Sequence, residues 1–368
     1  MLLITGTSGG LGSLIARRLA DRSDGAGLPD GADRPDVRFG TRAPDGPGQV
    51  RVDFDDPDSL DFTGVDTLLL ISAGYGEDDQ VIARHGAAVS AAERDGVRHV
   101  VYTSLTGAGD HLPYALAHRW TERRLRGSGL AWTVLRNGLY AELLAALAAP
   151  GPDGVITAPL GTGRLAAVAR EDLAEVAVRV ALAPDAHAGQ VYELVGDRPL
   201  GGTDLAAAVG ARYAPGSLTR TRSALSGTDA APFQPPMLVA TYSAVAAGFL
   251  DTPDTGTLHH LLGHPPRPAL EVYAAIAHPS PAGARGAGVR GQRRRTRPTD
   301  LHPPAPPTPA PPIPAPPALE ARESGGNGAA PTPLTCTPRP RRPRPHPSQP
   351  RRRSRRGSPR ATAPHPPH

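Results

Sequence analysis

The opening stretch MLLITGTSGGLGSLIARRLA constrains this chain more than any other segment. An apolar run halts at Thr5, three glycines follow at Gly6, Gly9 and Gly12, and apolar residues then return with helical spacing. A strand that must bend at once into a helix, with something bulky lying against its backbone, is written this way. Gly6 permits the turn, Gly9 lets a diphosphate approach the main chain, and Gly12 lets helix and strand pack closely. The helix start adds free N–H groups and about half a positive charge. A dinucleotide cradle over residues 6–12 is therefore expected.

The rest of the first half continues the alternation. LLIT (2–5), VRFG (37–40), VRV (50–52), TLLLIS (67–72), HVVYTS (99–104) and WTVLRN (132–137) are short apolar runs ending in small or polar residues. Helix-period stretches over 11–20, 57–62, 80–95 and 118–128 separate them, with Gly96 and Gly129 where the last two would be capped. This predicts an α/β fold: a Rossmann-type, doubly wound parallel sheet covered on both faces, with ligands beyond the strand carboxyl ends. After Asn137 come GLYAELLAALAAP, a turn VITAPLGTGRLA, a helix over 172–182, the strand VYELV (191–195) and mostly helices to 277. The expected organisation is an NAD(P)-binding domain over 1–138, with 155–195 contributing later elements, and a smaller, mixed, mostly helical substrate-binding region over 139–278. The segment 196–234 is too weakly periodic to assign.

Composition divides the chain near Pro279. Residues 279–368 hold about 17 arginines against 3 acids, roughly +14, which leaves about −9 for residues 1–278 of a chain whose net charge is +5. More than half of the 44 prolines also lie in that tail. Such a segment cannot bury enough apolar surface to offset its ordering entropy, so it is predicted to be disordered with polyproline II character. Its arginine runs (293–295, 341–344, 351–356) could hold phosphates, but no aromatics interleave with them and no helical period would enter a groove, so no nucleic-acid partner is expected. Coding continued out of frame through GC-rich DNA is the competing account of the tail. The single cysteine, Cys336, also lies there, which leaves the body without a disulfide, a thiolate metal site or a cysteine nucleophile. No apolar run reaches the roughly 18 residues of a membrane span and no leader precedes the first strand, so a cytoplasmic location is expected.

The second strand selects the cofactor. An acid at its end would accept the ribose hydroxyls of NAD, but DVRFGTR ends in Thr41 and Arg42, with Asp36 at the wrong end and Asp45 past the turn. Arg42 can hold a 2′-phosphate with a permanently charged fork, which favours NADP(H) over NAD(H). The Gly/Pro/Asp-rich insertion over 23–34 blurs the spacing.

The strings ITGTSGGLG, LLLISAG, GVRHVVYTSL, HRWTERRLRGSGLAWTVLRNGLYAE, AVAREDLA, VYELVGD and LLGHPP together resemble the NmrA-like branch of the atypical short-chain dehydrogenases, in particular its type-2 NAD(P)H:quinone oxidoreductases. The resemblance runs from Met1 to about Ile276. It implies that Gly6, Thr7, Ser8, Gly9, Gly10 and Leu11, with Gly12 behind them, cradle the diphosphate, that Arg42 meets the adenosine phosphate, and that Ser72, Ala73 and Gly74 line the nicotinamide ribose. Asn137, Gly138, Leu139, Tyr140, Ala141, Glu142 and Arg170 would also face the cofactor. The insertion before the second strand, AGYG after Ser72, and the glycine-rich PLGGTDLAAAVGARYAPG depart from the family pattern, and the last bears on the shape of the substrate pocket.

The activity implied is reduction of a small-molecule quinone or related electrophilic carbonyl compound by NADPH, with direct hydride transfer and no flavin or metal. Such chemistry asks chiefly for positioning, with donor and acceptor carbons roughly 3–3.5 Å apart. Charge developing on the substrate oxygen wants a hydrogen-bond donor, and Asn137, Tyr140 and His118 are the catalytic candidates. His118 follows Tyr114 by four residues and so mimics the Tyr-x-x-x-Lys pair of ordinary short-chain dehydrogenases; a pocket-lining histidine is the other reading. The chain has no lysine, which excludes the full dyad and weakens a nucleotide-sugar epimerase reading. A non-catalytic NADP(H) sensor acting through a protein partner is the alternative function, and a homodimer is left open. Asp172 reads as a helix cap, Trp120 and Trp132 as packing residues, and His259, His260 and His264 lack the companions of a metal site.

Overall fold

In the computed structural model, residues 1–23, 36–73, 76–228 and 230–277 are described. Residues 24–35 of the insertion, Gly74, and the tail over 279–368 lie outside them, as do the expectations attached to those positions.

The first half alternates as its glycine-punctuated apolar runs require. In chain order it holds β1 (Leu2–Ile4), α1 (Gly10–Ser23), β2 (Val37–Thr41), β3 (Gln49–Arg51), β4 (Thr67–Leu70), α2 (Asp78–Arg94), β5 (His99–Leu105), α3 (Ala115–Arg126) and β6 (Ala131–Asn137). The second half adds α4 (Ala141–Leu147), β7 (Val155–Ile156), β8 (Arg164–Leu165), α5 (Arg170–Leu182), β9 (Val191–Leu194), β10 (Leu200–Gly201), α6 (Gly202–Ala208) and β11 (Arg212–Tyr213). Helices α7 (Leu218–Ser226), α8 (Gln234–Ala246), α9 (Thr257–Leu262) and α10 (Ala269–Ala277) complete it.

Seven strands form one sheet in the order β3-β2-β1-β4-β5-β6-β9, every neighbouring pair parallel. The chain steps outward from β1 to β3 and then returns to β4, so the crevice at the carboxyl ends of β1 and β4 is the switch point where such sheets bind ligands. Alternation of side chains sorts the strands into two cores. Leu2, Ile4, Leu69, Val101 and Leu135 meet α1, α5 and α9 on one face, whereas Leu3, Leu68, Leu70, Val100 and Tyr102 meet α2 and α3 on the other. Because both faces are covered, Leu68, Leu69 and Leu70 are all fully buried in succession, each contributing about 1.5–3 kcal/mol.

A third core holds α4, α6, α8 and α10 together through Leu144, Leu205, Val245 and Tyr273. Two buried tyrosines close the end of α4: Tyr242 donates to the Leu147 carbonyl at 2.7 Å and Tyr273 to that of Ala148 at 2.8 Å. Those carbonyls would otherwise lack intrahelical partners.

Several local expectations are corrected. α3 ends at Gly127, whose N–H reaches the Arg123 carbonyl at 3.0 Å, two residues before the expected Gly129; α2 does end against Gly96, which is left-handed with φ +74°. The helix expected over 57–62 is one tight turn, Pro57–Ser59, because Leu60 and Phe62 are drawn into the sheet's core. The stretch after α4 carries two short strands: β7 pairs with β11 and β8 with β10, so the segment 196–234 supplies their partners. Asp172 caps nothing, since its buried carboxylate receives the N–H of Arg267 at 2.7 Å and the Arg267 guanidinium. Glu142 takes the capping role by accepting the Arg170 N–H at 3.1 Å.

Candidate active site

At the first turn, Gly6 stands in the left-handed region, φ +65°, and α1 starts four residues later. A Cβ built on Gly12 would lie 2.2 Å from the Gly6 carbonyl oxygen, so the helix approaches the strand end more closely than any side chain allows. Thr7 anchors the loop to β2, both its N–H (3.1 Å) and its hydroxyl (3.0 Å) donating to the Gly40 carbonyl. Ser8, Gly9 and Gly10 are exposed at the amino end of α1; the Gly9 N–H closes the turn onto the Gly6 carbonyl at 3.0 Å, and the first N–H groups of the helix lack intrahelical acceptors.

These residues line one wall of a cleft of about 530 Å³ at the switch point. Arg42 rises exposed from the end of β2 at its rim, and Ser72 and Ala73 form the floor beyond β4. Arg170, the first residue of α5, enters from the far side: its Nη1 would be 2.9 Å from a Cβ on Gly10, and its buried Nε has no hydrogen-bond partner. A guanidinium with an orphaned N–H beside a helix amino terminus suits a diphosphate. Val52, Asp53, Phe54, Asp55 and Arg84 line the same cleft and were missed in the sequence reading. The signal was present, since the VDFDD run directly follows β3, the next strand out from β2.

A second cavity of about 250 Å³ opens off the cleft, sharing Ile71, Ser72 and Tyr140 with it. Its walls are mainly apolar, with Val81, Leu105, Ala117, Leu139, Leu143 and Met237, and polar groups reach it from β5, β6, α2, α3 and the start of α4. Asn137 ends β6, 5 % exposed, with its buried Oδ1 lacking a partner. Tyr140 begins α4; burial raises its hydroxyl pKa while Arg170 and Asn137 oppose that. His118 on α3 is held well below the usual imidazole range, at about 4, by burial first and then by Arg119, with Glu122 opposing. It is therefore neutral at physiological pH.

The structure brings Asn137, Gly138, Leu139, Tyr140 and His118 into this one pocket, and Gly6, Ser8–Leu11, Gly12, Arg42, Ser72, Ala73, Tyr140 and Arg170 into the cleft. Ala141 and Glu142 line neither: Ala141 is buried against the Val168 carbonyl and Glu142 caps α5. Tyr114 shares the pocket with His118, but its hydroxyl pairs with Thr241 at 3.3 Å. The partner of His118 is Tyr102 on β5, hydroxyl to Nδ1 at 2.9 Å. His264 pairs with Glu175 at 3.1 Å, and among the described residues no group of three or more metal-ligating side chains occurs.

Residues 6–184 match a family model described as NAD(P)H-binding. Quinone oxidoreductase 2 of Escherichia coli is 36 % identical over 212 residues, 56 % of this chain and 72 % of that protein. Its crystal structure in complex with NADPH superposes with a TM-score of 0.65 at 30 % identity, covering 75 % of this chain and 99 % of that one. An NAD(P)H azoreductase of Xenophilus azovorans is 30 % identical, over 62 % of this chain and 81 % of that protein. An NmrA-like family oxidoreductase of Aspergillus flavus is 30 % identical over 48 % of this chain and 60 % of that one. Among the described residues no helix is long and apolar enough to cross a membrane. With its cleft and adjoining pocket, this chain belongs to the NAD(P)H-binding oxidoreductase family that includes quinone oxidoreductase 2, and it is an NAD(P)H-dependent oxidoreductase.

Proposed function

We propose that the protein is an NADPH-dependent reductase of quinones or related electrophilic carbonyl compounds. The observation that carries this reading is the convergence of Asn137, Tyr140 and His118 on a mainly apolar pocket that opens directly off the dinucleotide cleft. When bound, the reduced nicotinamide supplies the hydride. The chain supplies the rest. Gly6, Gly9 and Gly12 set the diphosphate loop, and Arg170 offers its unpartnered Nε beside it. Arg42 meets the 2′-phosphate, which makes NADPH the preferred cofactor. Ile71, Leu105, Leu139, Leu143 and Met237 exclude water and hold a flat apolar ring. Asn137, Tyr140 and His118 donate hydrogen bonds to the oxygen on which negative charge grows, in surroundings where such bonds are worth more than in water. In domain terms, we assign the cofactor to residues 1–138 with 155–195; residues 139–278 add Leu139, Tyr140, Leu143 and Met237 to a substrate pocket whose other wall, with Ile71, Leu105, His118 and Asn137, comes from the first region.

The test mixes full-length protein with NADPH or NADH and a panel of benzoquinones, naphthoquinones, aldehydes and azo compounds while nicotinamide absorbance is followed. Turnover on quinones, faster with NADPH, is expected. Tight cofactor binding without turnover on any of them would discard the reductase reading in favour of an NADP(H) sensor.

A further inference from the structure

We infer that Tyr102 is a positioning residue: its hydroxyl donates to Nδ1 of His118 and so holds that imidazole as the Nε2–H tautomer, presenting Nε2–H to the substrate pocket as a fixed donor. This rests on the reductase reading above.

The assignment follows from tracing protons through the buried groups between β5, α2 and α3. His85 on α2 is fully buried and accepts the Ala73 N–H at Nε2, 2.9 Å away. A neutral imidazole that accepts at Nε2 carries its proton on Nδ1. That Nδ1–H lies 2.8 Å from Thr121 Oγ1, and Thr121 passes its own hydroxyl proton to the Ala117 carbonyl at 2.8 Å. His85 therefore has no free lone pair for Tyr102, whose hydroxyl lies 3.5 Å from the same protonated nitrogen. The hydroxyl makes its shorter contact, 2.9 Å, with Nδ1 of His118. Tyr102 is 0 % exposed; burial pushes its pKa up against the opposing hydroxyls of Thr121 and Ser72, so it keeps its proton and gives it to the acceptor it approaches at 2.9 Å. Nδ1 of His118 is that acceptor. The His118 proton then sits on Nε2, which makes no hydrogen bond among the described residues and belongs to a side chain that lines the pocket.

Two neutral histidines on one tyrosine are thus locked in opposite tautomers. His85 faces the backbone at Ala73, on the floor of the cofactor cleft, and His118 faces the substrate. The arrangement makes His118 a hydrogen-bond donor and not a proton source, since losing Nε2–H would require Tyr102 to ionise inside the core. In quinone reduction the hydride and one solvent proton together yield the hydroquinone, and His118 ends each turnover as it began.

Nitrogen-15 NMR of histidine-labelled full-length protein reads the tautomers without substitution, and His118 is expected as Nε2–H and His85 as Nδ1–H. Tyr102→Phe is expected to release the His118 tautomer and lower kcat about tenfold, with KM for NADPH unchanged. Combined with His118→Ala, it should lose no more than His118→Ala alone. A wild-type His118 protonated on Nδ1, an unchanged kcat in Tyr102→Phe, or additive losses in the double variant would each overturn the inference. A wild type that turns over nothing would remove the reductase reading, and the NMR assignment would still decide the tautomer.

Discussion

The Arg170 guanidinium lies over the ring of Tyr140, 4.7 Å from its centroid, and so joins the far wall of the cleft to the pocket that opens off it. Arg170 is supplied by α5 and Tyr140 by the start of α4, which are bridged by Glu142 accepting the Arg170 N–H.

Arg170→Ala is accordingly expected to weaken NADPH and NADH alike, by about tenfold to a hundredfold, the usual worth of hydrogen bonds to a charged group. Titration calorimetry reads this directly. Unchanged affinity for both cofactors would remove Arg170 from the cradle.

Arg42→Ala separates the two cofactors. Only NADPH carries the 2′-phosphate, so its Kd should rise about tenfold or more while that of NADH stays within about twofold. Equal losses for both would mean that Arg42 serves the cleft in some other way.

Gly12→Ala must force the amino end of α1 off the strand, because the added carbon would stand 2.2 Å from the Gly6 carbonyl oxygen. A stability loss of about 1–3 kcal/mol is expected, together with lost cofactor binding. Thermal unfolding with and without NADPH checks both. A variant as stable as the parent, and still stabilised by NADPH, would contradict the tight turn.

Glu122 tests the support beneath α3. Its wholly buried carboxylate accepts from Ser104 and from Arg119 and Arg136, each at 2.7 Å, and from Arg126 at 3.2 Å. Burial pushes its pKa up, but Arg136 and Ser104 and then the Arg119 charge overcome that and hold it at about 2. Glu122→Gln keeps the volume and removes the charge, leaving arginines under-compensated at a cost of about 3–5 kcal/mol. A shift in urea midpoint worth less than 1 kcal/mol would refute this.

Acid stability follows from His85, whose pKa burial, His118 and Arg84 hold at about 3, against 6.5 for a free imidazole. Between those values the unfolded chain binds more protons than the folded one, so stability rises with pH and is lost on acidification. The loss from this residue is about 3 kcal/mol between pH 6.5 and pH 4, with His118 acting in the same sense and neither contributing above about pH 7. Urea midpoints across that range measure it. A flat profile from pH 6.5 to 4.5 would mean that the imidazole is not buried neutral.

Much of this was legible in the chain. The parallel sheet could be read because strand runs and glycine stops are local signals. The switch-point cleft was equally accessible, since Gly6, Gly9, Gly12 and Arg42 lie within or just beyond one β-α-β unit. The end of α3 was misjudged because Gly127 and Gly129 stand two apart, and the helix closes on whichever its N–H ladder reaches first. Asp172 looked like a cap by position, but Arg267, 95 residues later, claims its carboxylate.

By itself the sequence determined the fold class and the glycine-marked turn from β1 into α1, because backbone turns and side-chain alternation act over a few neighbouring positions. Tertiary structure alone decided which groups share protons. Tyr102 lies in a strand with seven buried residues in a row, and its bond to His118 exists only because α3 folds back over β5. Hydrogen-bond direction in a dry interior depends on every donor and acceptor within reach, and only the folded chain brings Ala73, His85, Thr121, Tyr102 and His118 together.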